Sequence, residues 1–193
     1  MTLTPRPEKI RRVLSHRQPD LTIVMENIHD PHNVSAMLRS ADAVGVYEVQ
    51  LVYTNTKFPK IGKKSSSSAS KWVGRRKFET IRECYDRLHD DGYVIYATRL
   101  DANARPLYDF DFLRKSALVF GNEHEGVTDD AAALADGTLI IPMMGMIQSL
   151  NVSVACAVTL YEALRQRTAA GMYDTSRFSP EVLESLVEEW RRK

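Results

Sequence analysis

Three short segments of the chain combine glycine or proline with side chains that could take part in chemistry. They run from Asp30 to Arg39, from Gly121 to Gly126 and from Ile140 to Ser153. Together they supply amides, hydroxyls, carboxylates and an arginine, which donate and accept hydrogen bonds and hold a fixed positive charge. Such a set suits the positioning of a polar substrate, so these segments form the candidate site.

Each segment also fits an ordinary structural role. Asn33 could cap the start of a helix that carries Arg39 on its surface, six residues and under two turns away. The glycines of residues 121–126 could simply allow a sharp turn after a strand. Ser149 or Asn151 could cap a later helix. Taken one at a time, the segments therefore favour the structural interpretation.

The place of the segments in the predicted fold favours a functional interpretation. Each segment comes after an apolar or β-branched run that predicts a strand. In an open parallel sheet, ligands bind in the crevice beyond the carboxyl ends of the strands. Three polar segments at one edge of such a sheet are therefore expected to form one site.

Short apolar runs and helical patterns alternate along the chain and predict the elements that position this site. The predicted strands are Leu21–Met25, Glu48–Tyr53, Tyr93–Thr98, Ala117–Phe120 and Thr138–Ile141, and the predicted helices are Asn33–Val44, Thr80–His89 and Val152–Arg167. This alternation is typical of an α/β fold, in which helices cover both faces of a parallel sheet.

Two more helices are predicted outside this body. Residues Pro7–Arg17 predict a basic helix, and Ser179 followed by Pro180 is typical of a helix start. The last helix presents an apolar stripe, expected to pack on the body or on a second copy, that contains Val182, Leu186 and Trp190. The predicted organisation is an N-terminal helix in residues 1–19, a central domain in 20–168, and a linker with a C-terminal helix in 169–193.

The distribution of charge predicts a polyanionic partner, although the formal net charge is only +1. Eight lysines and arginines and no acid lie from Lys57 to Lys77, around the serine-rich loop Ser65–Ser70, and five more basic residues lie from Arg6 to Arg17. Separate basic segments of this kind are typical of nucleic-acid binding. The alternatives are solvated surfaces and a disordered insertion.

Several other classes of function are excluded. The longest apolar runs are far shorter than the roughly 18 residues of a membrane helix, and the N-terminus lacks the apolar part of a secretory signal. We therefore expect a cytoplasmic protein. We also expect Cys84 and Cys156 to be buried free thiols. No phosphate-binding P-loop or G-x-G-x-x-G sequence follows the first strand, and His29 and His32 have no further ligand for a metal.

The three segments resemble the three signature motifs of the SPOUT superfamily, in its SpoU/TrmH branch. The similarity extends from about Arg17 to Tyr173 and is strongest at Asn33–Val46, Gly121–Val127 and Ile140–Arg167. It includes the continuous run Ser149-Leu150-Asn151-Val152-Ser153-Val154-Ala155. The order, spacing and identity of these residues make the resemblance specific.

This resemblance implies a C-terminal segment threaded into a deep trefoil knot, and a homodimer. It also implies S-adenosyl-L-methionine as the methyl donor, held mainly by backbone groups that fall here at Thr98, Gly121, Ile141 and Leu150. The implied reaction is transfer of a methyl group to a ribose 2′-hydroxyl of RNA. No metal is expected, because the sulfonium already activates the methyl group.

The resemblance also implies the catalytic residues. Arg39 matches the family's catalytic arginine, and Asn33, Glu123, Ser149 and Asn151 complete the site. Arginine is a poor proton acceptor at neutral pH because its pKa exceeds about 12. We therefore expect Arg39 to grip a phosphate and polarise the hydroxyl, while the proposal that it is itself the base stays open. Ser149 is expected to reach Arg39 across the dimer.

The implied substrate is tRNA. Family members with both a basic N-terminal helix and a C-terminal helix methylate guanosine 18 in the D-loop, whereas ribosomal relatives commonly carry a large N-terminal domain. RNA contacts are expected at Arg11, Arg17, Lys63, Lys64, Lys71, Arg75, Arg165 and Arg167. The alternatives are another tRNA position, rRNA, or a knotted RNA-binding protein without catalysis, which the intact residue set opposes.

Two features depart from the pattern of the related tRNA enzymes. His124 stands where those enzymes often have lysine, and the loop before Lys71 holds a serine run where theirs contains glycines. Both features bear on substrate detail more than on chemistry.

Overall fold

A seven-stranded sheet forms the centre of the computed structural model, which describes residues 5–54, 57–59 and 69–193. The strands are β1 (Leu21–Glu26), β2 (Glu48–Val52), β3 (Gly74–Phe78), β4 (Val94–Thr98), β5 (Arg105–Pro106), β6 (Ser116–Phe120) and β7 (Gly137–Ile140). Their order is β3-β2-β1-β6-β4-β7-β5, and every pairing is parallel. The predicted parallel α/β class is confirmed, and the trefoil knot stays a prediction.

Helices cover both faces of this sheet. They are α1 (Arg6–Ser15), α2 (Pro31–Ala43), α3 (Ala69–Trp72), α4 (Ile81–Asp90), α5 (Asp129–Leu134), α6 (Val152–Ala169) and α7 (Pro180–Arg191), with a 3-10 turn at Leu107–Asp109. One apolar core lies beneath α2 and α6, and a second lies beneath α4 and α5. Within the described ranges, no helix combines the length and apolar character needed to cross a membrane.

The sequence prediction did not include β3, β5, α3 and α5, and β3 and α5 show the physical reasons for such omissions. Strand β3 has the sequence Gly-Arg-Arg-Lys-Phe, lies at an edge of the sheet and leaves its first four residues exposed. It therefore lacks the apolar alternation by which a half-buried strand is recognised. Helix α5 has only six residues, too few to establish a helical period.

The start of α2 corrects one prediction. Asp30, not Asn33, caps this helix, because its side chain accepts a hydrogen bond from the backbone N–H of His32 at 2.8 Å. Pro31 occupies the first helical position, where the missing N–H costs no hydrogen bond. Asn33 therefore lies inside the first turn, and its buried amide is free to bond to other segments.

The two terminal helices pack on each other. Ile10 and Leu14 of α1 form an apolar cluster with Leu186, Val187 and Trp190 of α7. Ser179 caps α7 as predicted, and the apolar stripe is buried except at its first residue. The C-terminal helix thus packs its apolar residues against those of the N-terminal helix.

Both cysteines are buried and free, as predicted. Burial raises the pKa of the Cys84 thiol to about 12. Burial also raises the pKa of the Cys156 thiol. Neither thiol is therefore a nucleophile at neutral pH.

Candidate active site

The candidate site lies at the carboxyl edge of the sheet, where the strand order reverses. Strand β1 is paired with β2 on one side and with β6 on the other, so the chain leaves β1 and β6 next to each other. The segment Asn27–Asp30 follows β1, and Gly121–Gly126 follows β6. This crevice is the usual place for ligands in a doubly wound sheet.

Glu123 connects these two segments. Its Oε1 accepts hydrogen bonds from Nδ2 of Asn33 at 2.8 Å and from the backbone N–H of Asp30 at 3.2 Å. Its Oε2 accepts one from the backbone N–H of His29 at 3.2 Å. Partial desolvation raises the pKa of Glu123, but these hydrogen bonds together outweigh it and lower the pKa below its usual value.

Asn33 and Asn151 connect the third segment to the first. Nδ2 of Asn151 donates to Oδ1 of Asn33 at 3.1 Å. Because a carboxylate only accepts, Glu123 fixes which end of the Asn33 amide faces it and leaves the oxygen for Asn151. Asn151 also caps α6, since its Oδ1 accepts from the backbone N–H of Ser153 at 2.9 Å. The structure thus brings all three segments together through side-chain hydrogen bonds.

The loop after β6 closes so tightly that its first residue must be glycine. A Cβ atom on Gly121 would lie 1.9 Å from the backbone oxygen of Gly126. Oδ1 of Asn122 accepts from the backbone N–H groups of His124 and Glu125 at 2.8 and 2.7 Å. Gly126 has a φ of 71°, a conformation that favours glycine. The loop therefore presents backbone groups close to the neighbouring cavity.

A cavity of about 680 Å³ opens beside this loop. Three of the four residues predicted to bind the methyl donor, namely Thr98, Gly121 and Leu150, line it, together with Glu123, Ser149 and Asn151. The Thr98 hydroxyl donates to the backbone oxygen of Val119 at 2.9 Å, so it contributes to the strand end. Ile141 does not line the cavity; it is half-buried and packs against the apolar core.

Arg39 lies on α2, six residues beyond Asn33, and its side chain is exposed. It makes no hydrogen bond or ion pair with any residue that the structure describes. It does not line the cavity either. Ser149 is also exposed, and its contact with Arg39 across a dimer stays a prediction.

Glu26 is a buried carboxyl group next to the site that sequence reasoning missed. It ends β1, is 3% exposed, and accepts hydrogen bonds from the Thr128 hydroxyl at 2.6 Å and the Thr128 backbone N–H at 3.1 Å. Desolvation raises its pKa more than these hydrogen bonds lower it. Glu26 therefore ties the end of β1 to the far end of the Gly121–Gly126 loop. An acid within an otherwise buried strand was the available signal.

The predicted RNA-binding residues fall into four groups, of which the fourth, Arg17 and Arg167, is buried. Lys71 and Arg75 are exposed and form no ion pair with any described residue. Arg11 and Arg165 are exposed too, but Arg11 pairs with Glu184 and Arg165 with Glu162. Lys63 and Lys64 lie outside the described residues, as does the serine run of residues 65–68.

The prediction that Arg17 and Arg167 contact RNA is wrong, because both side chains are fully buried. Arg17 donates to the backbone oxygen of Val46 at 2.9 Å and pairs with Asp42 at 2.5 Å. Arg167 pairs with Asp20 at 2.5 Å and also donates to three backbone oxygens, those of Asp20, Phe112 and Arg114. Both guanidinium groups thus bond to internal acceptors and join segments that are far apart in the chain.

Comparison with known proteins extends these observations. Residues 20–161 match the SpoU rRNA Methylase family. The chain is 46% identical over 188 residues to the tRNA (guanosine(18)-2'-O)-methyltransferase of Thermus thermophilus, covering 97% of this chain and 96% of that protein. The A. aeolicus TrmH/SpoU tRNA modifying enzyme has a similar crystal structure, with a TM-score of 0.90, 36% identity and coverage of 96% and 94%. The SpoU methyltransferase AviRb of Streptomyces viridochromogenes, solved with AdoMet, gives a TM-score of 0.68 at 28% identity, over 80% of this chain and 59% of that one.

Proposed function

The chain belongs to the SpoU rRNA methylase family, and we propose that it transfers a methyl group from S-adenosyl-L-methionine to the ribose 2′-hydroxyl of guanosine 18 in tRNA. The observation that carries the proposal is the hydrogen-bonded chain Asn151–Asn33–Glu123, which joins three distant segments beside one cavity. A purely structural role would not require these polar groups to meet beside an open cavity.

Relatives support tRNA as the substrate. The Thermus protein that matches almost end to end is named for guanosine 18, and the A. aeolicus structure is described as a tRNA modifying enzyme. The basic helix α1 and the exposed Lys71 and Arg75 provide positive charge for a polyanion. A cytosolic location belongs to the same proposal, because the proposed substrate is tRNA.

The residues around the cavity fit the methyl donor. A volume of about 680 Å³ is within the roughly 300–1,000 Å³ of small-molecule sites. Gly121 lets the loop close tightly against Gly126 beside the cavity, and the carboxylates of Glu123 and Glu125 favour a positively charged ligand at the wall. When bound, the donor supplies a methyl group on positively charged sulfur.

We assign positioning to the amides and charge to the arginine. Asn33 and Asn151 hold the segments that surround the acceptor ribose, and Glu123 keeps them in register. Arg39 is free to bind the phosphate beside the target and to polarise the 2′-hydroxyl by hydrogen bonding. The proton of the hydroxyl then passes to phosphate or water, because a guanidinium is a poor base at neutral pH.

A second copy of the chain is the proposed partner. The loop before α6 exposes Met144, Met146 and Ile147 at 95%, 98% and 70%, and α6 itself exposes Val154 and Tyr161. So many large apolar side chains in one stretch are typical of a protein interface. Their continuity with Ser149 and Asn151 suggests that dimerisation completes the site.

The dimer is tested by sedimentation. The wild-type protein should sediment at roughly twice 21.9 kDa. Met146→Asp should shift it towards the monomer and lower activity, because a charge cannot be buried unpaired. Val182→Asp, on an exposed residue of α7, is the control. An active wild-type monomer at micromolar concentration would refute the proposal.

The proposed reaction is tested directly with tRNA transcripts and tritiated methyl donor. We expect label in the ribose of guanosine 18, mapped by resistance of the adjacent phosphodiester to alkali. A transcript with deoxyguanosine at that position should accept no label. Label at another position, or in rRNA alone, would contradict the substrate. Tight tRNA binding without label or donor binding would favour the non-catalytic alternative.

A further inference from the structure

A groove between the terminal helices is separate from the site described above. It has a volume of about 340 Å³ and is lined by Arg6 and Lys9 of α1, Asp42 of α2, Trp72 of α3 and Trp190 of α7. We call it the tryptophan groove. None of these residues belongs to the three segments of the candidate active site.

The two tryptophans have different roles in this groove. Their ring centroids are 4.9 Å apart at an angle of 43°. Trp190 is only 3% exposed, and the buried guanidinium of Arg17 lies 5.3 Å from its ring centroid. Trp72 is half-buried, and the ammonium of Lys71 lies 5.0 Å from its ring centroid. Trp190 is thus part of the core, while Trp72 offers indole surface to a ligand.

The charge of the groove is positive. Arg6 and Lys9 are exposed and make no hydrogen bond or ion pair through their side chains with any described residue. Arg11, on the same helix, pairs with Glu184 and does not line the groove. Asp42 is the only acid in the lining, and the guanidinium of Arg17 neutralises it at 2.5 Å. The groove therefore favours an anionic ligand.

Arg39 lies on the helix that contributes Asp42 to the groove. Arg39 and Asp42 are three residues apart on α2, so they lie on the same face of the helix. Three residues of helix rise about 4.5 Å. This is comparable with one or two stacked nucleotides, at about 3.4 Å each along a strand. A strand that places a ribose at Arg39 can therefore reach the groove with a neighbouring nucleotide.

We propose that the tryptophan groove binds one unpaired nucleotide of the tRNA substrate, with its base stacked on Trp72 and its phosphate between Arg6 and Lys9. An aromatic wall beside free cations is the combination that binds single-stranded nucleic acid without reading its sequence. The proposal rests on tRNA as the substrate and adds a second contact outside the catalytic segments. It requires the nucleotide to be unpaired, since a base within a duplex cannot reach an indole.

Tryptophan fluorescence provides a test that isolates Trp72, because the chain holds only two tryptophans. Binding of tRNA to the wild type should quench its emission, and Trp72→Phe should remove most of that change while Trp190 remains as an internal reference. Trp72→Leu should weaken tRNA binding at least about fivefold, the factor for losing one stacked base. Donor affinity should be unchanged in both variants.

Salt dependence tests the phosphate contact with exposed residues that can be replaced without loss of folding. Arg6→Ala combined with Lys9→Ala should reduce the slope of log affinity against log salt by about 1.4, for two single-strand contacts. Arg12→Ala combined with Arg192→Ala removes the same charge from exposed residues outside the groove, and this control should change the slope less.

The outcomes separate this proposal from the proposed function. If the wild type methylates guanosine 18 while Trp72→Leu keeps its tRNA affinity and quenching, the groove proposal is wrong and the function stands. A wild type that binds no tRNA overturns both. If Trp72→Leu changes the sedimentation of the protein but not its tRNA affinity, the groove is a protein contact and the proposal fails.

Discussion

Nδ2 of Asn33 donates a hydrogen bond of 2.8 Å to Oε1 of Glu123, a residue 90 positions later in the chain. The same carboxylate accepts the backbone N–H groups of His29 and Asp30, just before the helix that carries Asn33. One ionised side chain thus fixes both the entry to α2 and the amide that faces Asn151. The shape of the site depends on the charge state of Glu123.

Glu123→Gln should therefore weaken the site in a pH-dependent way. The hydrogen bonds lower the pKa of Glu123, so its stabilising effect is present above its unfolded value of about 4.5 and is lost as pH falls through the folded value. At pH 7 the variant should be less stable by about 1 kcal/mol, a typical hydrogen-bond contribution. Thermal unfolding should show this difference disappearing on acidification.

The control for this variant is Glu125→Gln in the same loop, whose carboxylate accepts only a long hydrogen bond of 3.4 Å from Asn122. It should leave thermal stability and its pH dependence nearly unchanged. Equal pH profiles for wild type and Glu123→Gln would contradict the role of the carboxylate.

Arg39→Ala should abolish methylation while leaving affinity for the methyl donor nearly intact. Arg39 does not line the cavity, so its loss should fall on kcat, by on the order of a hundredfold or more. Arg39→Lys should rescue poorly, because an ammonium lacks the planar fork that bridges a phosphate and a hydroxyl. Single-turnover rates and donor titration measure the two effects. Near-normal turnover at saturating tRNA would remove Arg39 from the mechanism. The control is Arg82→Ala, which replaces an exposed arginine of α4.

Gly121→Ala should strongly weaken binding of the methyl donor. The added Cβ would meet the Gly126 backbone oxygen at 1.9 Å, so the loop would have to open. We expect at least a tenfold loss of donor affinity, which calorimetry would measure. Gly145→Ala is the matched control, because a Cβ there meets nothing within 4 Å. Unchanged donor affinity in Gly121→Ala would show that the tight loop does not shape the cavity.

Glu26→Gln should make the protein less sensitive to pH. Burial raises the pKa of Glu26, so the folded state favours the protonated carboxyl group. The stability that this group contributes is fully present below its unfolded pKa of about 4.5 and is lost as pH rises through its folded pKa. The amide can still accept from the Thr128 N–H without carrying a charge. Thermal unfolding should therefore show the variant gaining stability over wild type as pH rises to neutrality. A net loss at pH 7, as expected for Glu26→Ala, would contradict this account.

Two arginines that are two residues apart should behave oppositely. Arg167→Ala removes one partner of a buried ion pair and should cost about 3–5 kcal/mol of stability. Arg165→Ala should change stability far less, because its side chain is exposed and its ion pair with Glu162 is screened by solvent. If Arg165 contacts RNA, its loss should reduce the salt slope of tRNA binding by about 0.7. Urea unfolding and tRNA titration distinguish the two effects.

Local sequence patterns were enough to predict the layers of the fold and the segments of the site. Apolar runs such as Ala117–Phe120 alternate with helical patterns, and a continuous apolar run of this length predicts a strand that is buried on both faces, as β6 is. Ser179 caps α7 as predicted, and Asn151 is the one of the two candidates, Ser149 and Asn151, that caps α6, because capping depends on side chains only two or three residues away.

Which distant groups meet could not be predicted from local patterns and follows from the folded arrangement of the strands and helices. The hydrogen bond between Asn151 and Asn33 spans 118 positions, and nothing in local periodicity sets its geometry. Arg17 and Arg167 show the same limit, because their types predict exposure. Whether a charge can be buried depends on the acceptors that converge on it, and here Asp42 and Asp20 come from other elements. Local pattern fixes what each segment is, whereas the parallel sheet, by joining segments far apart in the chain, fixes what each side chain touches.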